Sequence, residues 1–135
     1  MRLTLFCLVL LLIFSAIINA EKPPDMHTSR ISLDWQGTYL GILPTAGGGG
    51  METKITLSED CSYTMQTKYL DKEDSVSARK GKFVWDEKGS KITLQNIISS
   101  PSQYLVGENM LIQLDMDGNR ITGELEEHYI LRKIE

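Results

Sequence analysis

Met51-Glu52-Thr53-Lys54-Ile55-Thr56-Leu57-Ser58, then Glu59-Asp60-Cys61, then Ser62-Tyr63-Thr64-Met65-Gln66-Thr67-Lys68-Tyr69, is the stretch that decides the fold. Successive side chains of an extended chain point to opposite sides, so Thr53, Ile55 and Leu57 share one face. Tyr63, Met65 and Tyr69 share a face of the second run in the same way. Two period-two segments joined by a short acidic turn are a β-hairpin.

The same pattern extends in both directions. Upstream, Trp35 precedes a strand over Gly37–Pro44, which runs into Thr45-Ala46-Gly47-Gly48-Gly49-Gly50. Four glycines in a row are conformationally loose and poor strand residues, so they form a loop. Downstream, Asp71-Lys72-Glu73-Asp74 reads as an exposed loop and Gly81–Asp86 as a strand. After the turn Glu87–Ser90, Lys91–Ile97 returns, with Phe83 and Trp85 facing the same core as Ile92 and Leu94. Ser99–Ser102 is a loop, and Gln103–Val106 and Met110–Leu114 flank a tight link at Gly107-Glu108-Asn109. Asp115–Asn119 is a turn, and a last strand spans Tyr129–Lys133. The spacing predicts about eight strands and no helix. Links this short suit hairpins rather than crossovers, so the expected fold class is all-β, a small antiparallel up-and-down barrel. Trp35, Tyr39, Tyr63, Tyr69, Phe83, Trp85 and Tyr104 are expected to fill its interior.

The first twenty residues differ from the rest. Arg2 is followed by an apolar run from Leu3 to about Ile18, which ends at Asn19-Ala20 before Glu21-Lys22-Pro23-Pro24. A basic start, an apolar middle and a small residue at the boundary form a secretory signal peptide, expected to be cleaved near Ala20. The run is also close to the shortest membrane span, so a retained anchor is the alternative. Residues 21–31 read as a flexible lead-in and 32–135 as the barrel domain. The expected location is periplasmic or secreted, with no membrane span after cleavage.

The 135 residues carry 14 Lys and Arg against 18 Asp and Glu, a net charge of −4. Losing Arg2 with the leader makes the remainder one charge more negative. No basic cluster stands out, which argues against nucleic acid as a partner. Beyond the leader Cys61 is the one cysteine, so stability rests on packing rather than on an internal disulfide. This free thiol is a tolerated small apolar residue, a reactive site or a point of intermolecular bridging.

Chemistry-bearing constellations are sparse. No Ser- or Cys-centred nucleophile has a matched base, and the glycine run lacks the Lys-Ser/Thr of a phosphate loop. Asp115-x-Asp117-Gly118-Asn119 lacks the rest of a calcium loop and fits turn chemistry. His27 lies in the lead-in, while Glu126 and His128 would alternate onto one strand face. Met26, Met51, Met65, Met110 and Met116 offer thioethers, a residue type that more often fills core gaps. No catalytic residue, metal ligand or cofactor is assigned, and the chain is read as a non-enzyme.

Several phrases together resemble the NlpE N-terminal domain family. They are Asp34–Pro44, Met51–Leu57, Tyr63, Tyr69-Leu70, Gly81–Trp85, Ile92–Leu94, Tyr104–Asn109, Leu114–Gly118 and Tyr129–Leu131, in order across residues 33–134. The resemblance implies a lipocalin-like barrel and a binding or stress-sensing module of the cell envelope, with an envelope protein as partner and a link to copper homeostasis and resistance. The family has Cys-x-x-Cys directly after the Leu-Pro that matches Leu43-Pro44; here those positions are Thr45 and Gly48. Neither carries a thiolate, so soft-metal chelation there is not inherited. Relatives usually carry a lipid anchor on a cysteine ending the leader; Cys7 lies too early, after bulky Phe6. Cys61 stands where relatives have a turn glycine. The expected contact region is the loop with Pro44, Thr45, Gly47, Gly48 and Gly50. The alternative function is carriage of a metal ion or small apolar ligand, by Met/His ligands or inside the barrel.

Overall fold

Alternation of apolar and polar residues produces the expected hairpin, with Thr53, Ile55 and Leu57 opposite Thr67, Met65 and Tyr63. A computed structural model describes residues 28–135. The leader, residues 21–27 of the lead-in and His27 lie outside the described residues. The eight strands are β1 (Gly37–Leu43), β2 (Met51–Leu57), β3 (Ser62–Tyr69), β4 (Ser77–Trp85), β5 (Lys91–Leu94), β6 (Gln103–Gly107), β7 (Met110–Gln113) and β8 (Ile130–Lys133). Each pairs antiparallel with the next, and β8 returns to β1, closing the barrel and removing both sheet edges. The all-β up-and-down barrel read from the sequence is the observed fold.

The closing seam is short. Tyr39 pairs with Lys133 and Leu40 with Arg132. Thr38 extends it, donating its N–H to the Glu135 carbonyl (3.0 Å) and accepting from the Ile134 N–H (2.8 Å). Beyond Leu40 the seam tightens at Gly41. A Cβ there would lie 2.6 Å from Leu131 Cδ2 and 2.8 Å from the Ile130 carbonyl oxygen. Glycine is what lets the two strands approach.

The two ends of the barrel differ. One carries the tight turns 58–61, 86–90 and 108–109 together with both ends of the described chain. Trp35 fills it, with its ring edge-on to Phe83 at 5.7 Å and to Trp85 at 5.4 Å. Its indole N–H donates to the Arg30 carbonyl (3.1 Å), and the buried Tyr39 hydroxyl donates to the Trp35 carbonyl (2.7 Å). The other end carries the longer segments 44–50, 70–76, 95–102 and 114–129. Between the ends, Tyr39, Ile55, Tyr63, Phe83, Ile92, Leu94, Tyr104, Leu111 and Leu131 are almost wholly buried.

Four expectations change. Residues 28–31, read as part of the lead-in, join Ser32 and Leu33 in one helical turn, α1 (Ser29–Ser32). It is tied down because the Arg30 N–H donates to the Gly89 carbonyl (2.9 Å). Glu126 and His128 do not alternate on a strand; Glu126–Tyr129 is a 3-10 turn in which the His128 N–H donates to the Leu125 carbonyl (2.9 Å). β5 stops at Leu94 because Asn96 turns the chain with φ of 65°. Tyr69 shares the inner-face parity of Tyr63 but sits at the open end, 40% exposed.

Candidate functional site

The loop between β1 and β2 is half fixed and half free. The Thr45 carbonyl accepts from the Gly48 N–H (3.0 Å), and the Thr45 hydroxyl accepts from the Gly50 N–H (3.3 Å). The Gly50 carbonyl in turn accepts from the Leu70 N–H (3.1 Å), which links this loop to the 70–76 segment. Gly48 and Gly50 both have φ of 80°, a conformation that glycine adopts without steric cost. At Gly49 an added Cβ would lie 2.6 Å from the Asp71 carboxyl group, whereas at Gly47 it would meet nothing within 4 Å. Residues 45, 48 and 50 therefore set the loop's shape, and Gly47 presents its outer edge to solvent.

Three apolar side chains stand exposed around this loop, on the sides not taken by Asp71. Ile42 is 54% exposed, Leu70 46% and Leu125 52%. Ile42 and Leu70 close on Gly50 from two sides, with Ile42 Cγ2 at 2.9 Å and Leu70 Cδ1 at 3.6 Å from where its Cβ would stand. Ile42, Pro44, Gly48, Gly49, Gly50, Leu125 and His128 line an open cleft of about 410 Å³. The candidate residues Pro44, Thr45, Gly48 and Gly50 are thus brought together. The sequence reading missed Ile42, Leu70 and Leu125, which come from a strand and two different loops. Ile42 alone carried a signal: it is an apolar residue at an outward-facing position of β1.

The donor set at residues 45 and 48 does not fit a soft metal ion. Thr45 offers a hydroxyl already engaged by Gly50, and Gly48 offers backbone. Among the described residues no group of three or more His, Cys, Asp and Glu side chains converges as a metal site. Cys61 lies at the opposite end of β2, in the tight turn to β3. Its N–H donates to the Ser58 carbonyl (3.0 Å) and its carbonyl accepts from Phe83 (2.8 Å). The half-buried thiol packs against the aromatic core. Its φ of 63° lies in the left-handed region, a value natural to glycine. Asp115 is likewise a turn residue, its carboxylate accepting from the N–H groups of Asp117 and Asn119, both at 2.9 Å.

The fold and sequence have known counterparts. The family model for the NlpE N-terminal domain matches residues 39–124. Lipoprotein NlpE of Escherichia coli K12 is 28% identical over 87 residues, which are 64% of this chain and 37% of that protein. A crystal structure of a Shewanella oneidensis protein superposes with a TM-score of 0.72 at 50% identity, over 79% of this chain and 95% of that one. The crystal structure of the Cpx pathway activator NlpE from Escherichia coli gives a TM-score of 0.53 at 29% identity, over 65% of this chain and 46% of that one. The chain therefore spans less than half the length of the Escherichia coli protein.

Proposed function

The chain belongs to the NlpE N-terminal domain family, and from that premise we propose that it is a non-enzymatic binding module of the cell envelope. It docks a protein partner with the open end of its barrel, through the β1–β2 loop and the apolar residues around it. The observation that carries this reading is the cluster of Ile42, Leu70 and Leu125, each about half exposed beside a loop whose outer edge is free. Apolar side chains ringing a cleft, with polar residues outside them, are how a docking surface differs from an ordinary one. The similarity to a Cpx pathway activator supports a role in relaying envelope stress. Copper chelation at Thr45 and Gly48 has no donor set behind it.

The test is an envelope-stress reporter in cells that export this chain. Wild type raises the reporter, and Leu125→Asp, at an exposed position, abolishes the rise while the purified variant keeps its thermal midpoint. A reporter response equal to wild type in the variant refutes the docking surface.

A further inference from the structure

The open end of the barrel holds a second feature, separate from the loop surface. β3 and β4 run on past the closed part of the sheet, and their inner faces line a mouth of about 370 Å³ against residues 97–100. Met51, Met65, Tyr69, Ile97 and Ile98 line it. Met65 forms its floor, almost wholly buried, while Ile98 stands at its rim, 82% exposed. Arg79 enters the same mouth. It pairs directly with Met65 across the β3–β4 ladder, and residues directly opposite in a ladder share a face. Among the described residues no carboxylate forms an ion pair with Arg79. Burial raises the Tyr63 phenol above its ordinary pKa, and the nearby Arg79 charge acts in the opposite direction.

A mouth with an apolar floor and one uncompensated inward-facing cation is complementary to an amphiphile with a single anionic head. We propose that this mouth binds a free fatty acid, its chain along Met51, Met65, Ile97 and Ile98 and its carboxylate on the Arg79 guanidinium. A guanidinium holds a carboxylate through two parallel N–H donors, which a lysine at this place could not do. The volume lies within the range of small-molecule sites. Tyr39, Tyr104 and Leu111 fill the interior below, so the ligand occupies the mouth and not the barrel axis.

Calorimetric titration of the purified chain with sodium laurate, kept below its aggregation concentration, tests this. Laurate binds with one-to-one stoichiometry, and Arg79→Gln weakens it about tenfold, the loss expected for a charge-assisted hydrogen-bonded pair. Ile98→Asn also weakens it, and dodecyltrimethylammonium, with the same chain and the opposite charge, binds far more weakly. Both substitutions are at exposed positions, and near-ultraviolet circular dichroism confirms that each variant is folded. Equal laurate affinity in wild type and Arg79→Gln overturns the assignment, as does equal binding of the cationic analogue. Vesicles of anionic phospholipid offer a chain beside a negative head from a bilayer instead. Arg79-dependent cosedimentation with such vesicles in the absence of laurate binding overturns the free-acid reading.

Discussion

Replacing Gly41 with alanine tests whether the β1–β8 seam closes the barrel as tightly as the packing indicates. The new Cβ would stand 2.6 Å from Leu131 Cδ2, 2.8 Å from the Ile130 carbonyl oxygen and 3.2 Å from Leu131 Cα. Two of those three atoms are backbone, and the Leu131 side chain is fully buried, so neither neighbour yields cheaply. Forcing a methyl into such a site costs about 1–3 kcal/mol. Glycine-to-alanine exchange returns about 0.4–1 kcal/mol by restricting the unfolded chain. The net loss is about 1–2 kcal/mol, or a fall of about 4–10 °C in midpoint for a barrel of this size. Gly47→Ala is the control: it has open space around it and is expected to stay within about 0.5 kcal/mol of wild type. Thermal and urea unfolding followed by circular dichroism measure both variants. Equal midpoints for Gly41→Ala and Gly47→Ala would mean that the seam is loose and that the reasoning from close approach fails.

Tyr39→Phe removes the hydroxyl that donates to the Trp35 carbonyl at 2.7 Å. It should lower stability by about 1–2 kcal/mol in urea melts, because a buried carbonyl loses its partner; a neutral substitution would show that water replaces the bond. Burial, helped by the Asp34 charge, pushes the Tyr39 phenol up from 10.0 to about 12, and burial likewise pushes Tyr104 up to about 12. The unfolded chain therefore loses these protons first. The stability they contribute is whole below pH 10 and is lost as the pH rises towards 12, whereas a flat stability profile across that window would refute the burial. Wild type should not compete for Cu(I) with a chromophoric chelator through residues 45 and 48, and Thr45→Cys with Gly48→Cys should gain such competition. Wild-type binding unaffected by Cys61→Ser and by methionine oxidation would contradict the donor argument at that loop.

How much of this was legible in the sequence depends on what each residue faces. Thr53, Ile55 and Leu57 alternate with charged and polar residues because one side of β2 meets the core and the other meets water, so period two was plain. Ser77–Lys80 carries no such signal, although it is the first part of β4. Its inward residues, Ser77 and Arg79, face the open mouth rather than the core, so nothing selects apolar side chains there. The same geometry exposes Tyr69 despite its inner-face parity. Glu126 and His128 fit a strand by alternation alone, but backbone bonds from Glu126 to Gly123 and from His128 to Leu125 wind the segment into a 3-10 turn instead. The glycine loop was legible as a loop. Its apolar surround was not, because Ile42, Leu70 and Leu125 are far apart in sequence and only barrel closure assembles them.

The proposed function requires that the open end of the barrel is the face that meets a protein partner. Photocrosslinking residues placed singly at Gly47, Leu125 and Glu87, in cells that export the chain, test it directly. Gly47 and Leu125 lie at the open end, and Glu87 is an exposed turn residue at the closed end. Docking at the open end yields a discrete adduct of the same mass from positions 47 and 125 and none from 87. An adduct from 87 alone, or from none of the three, would contradict it.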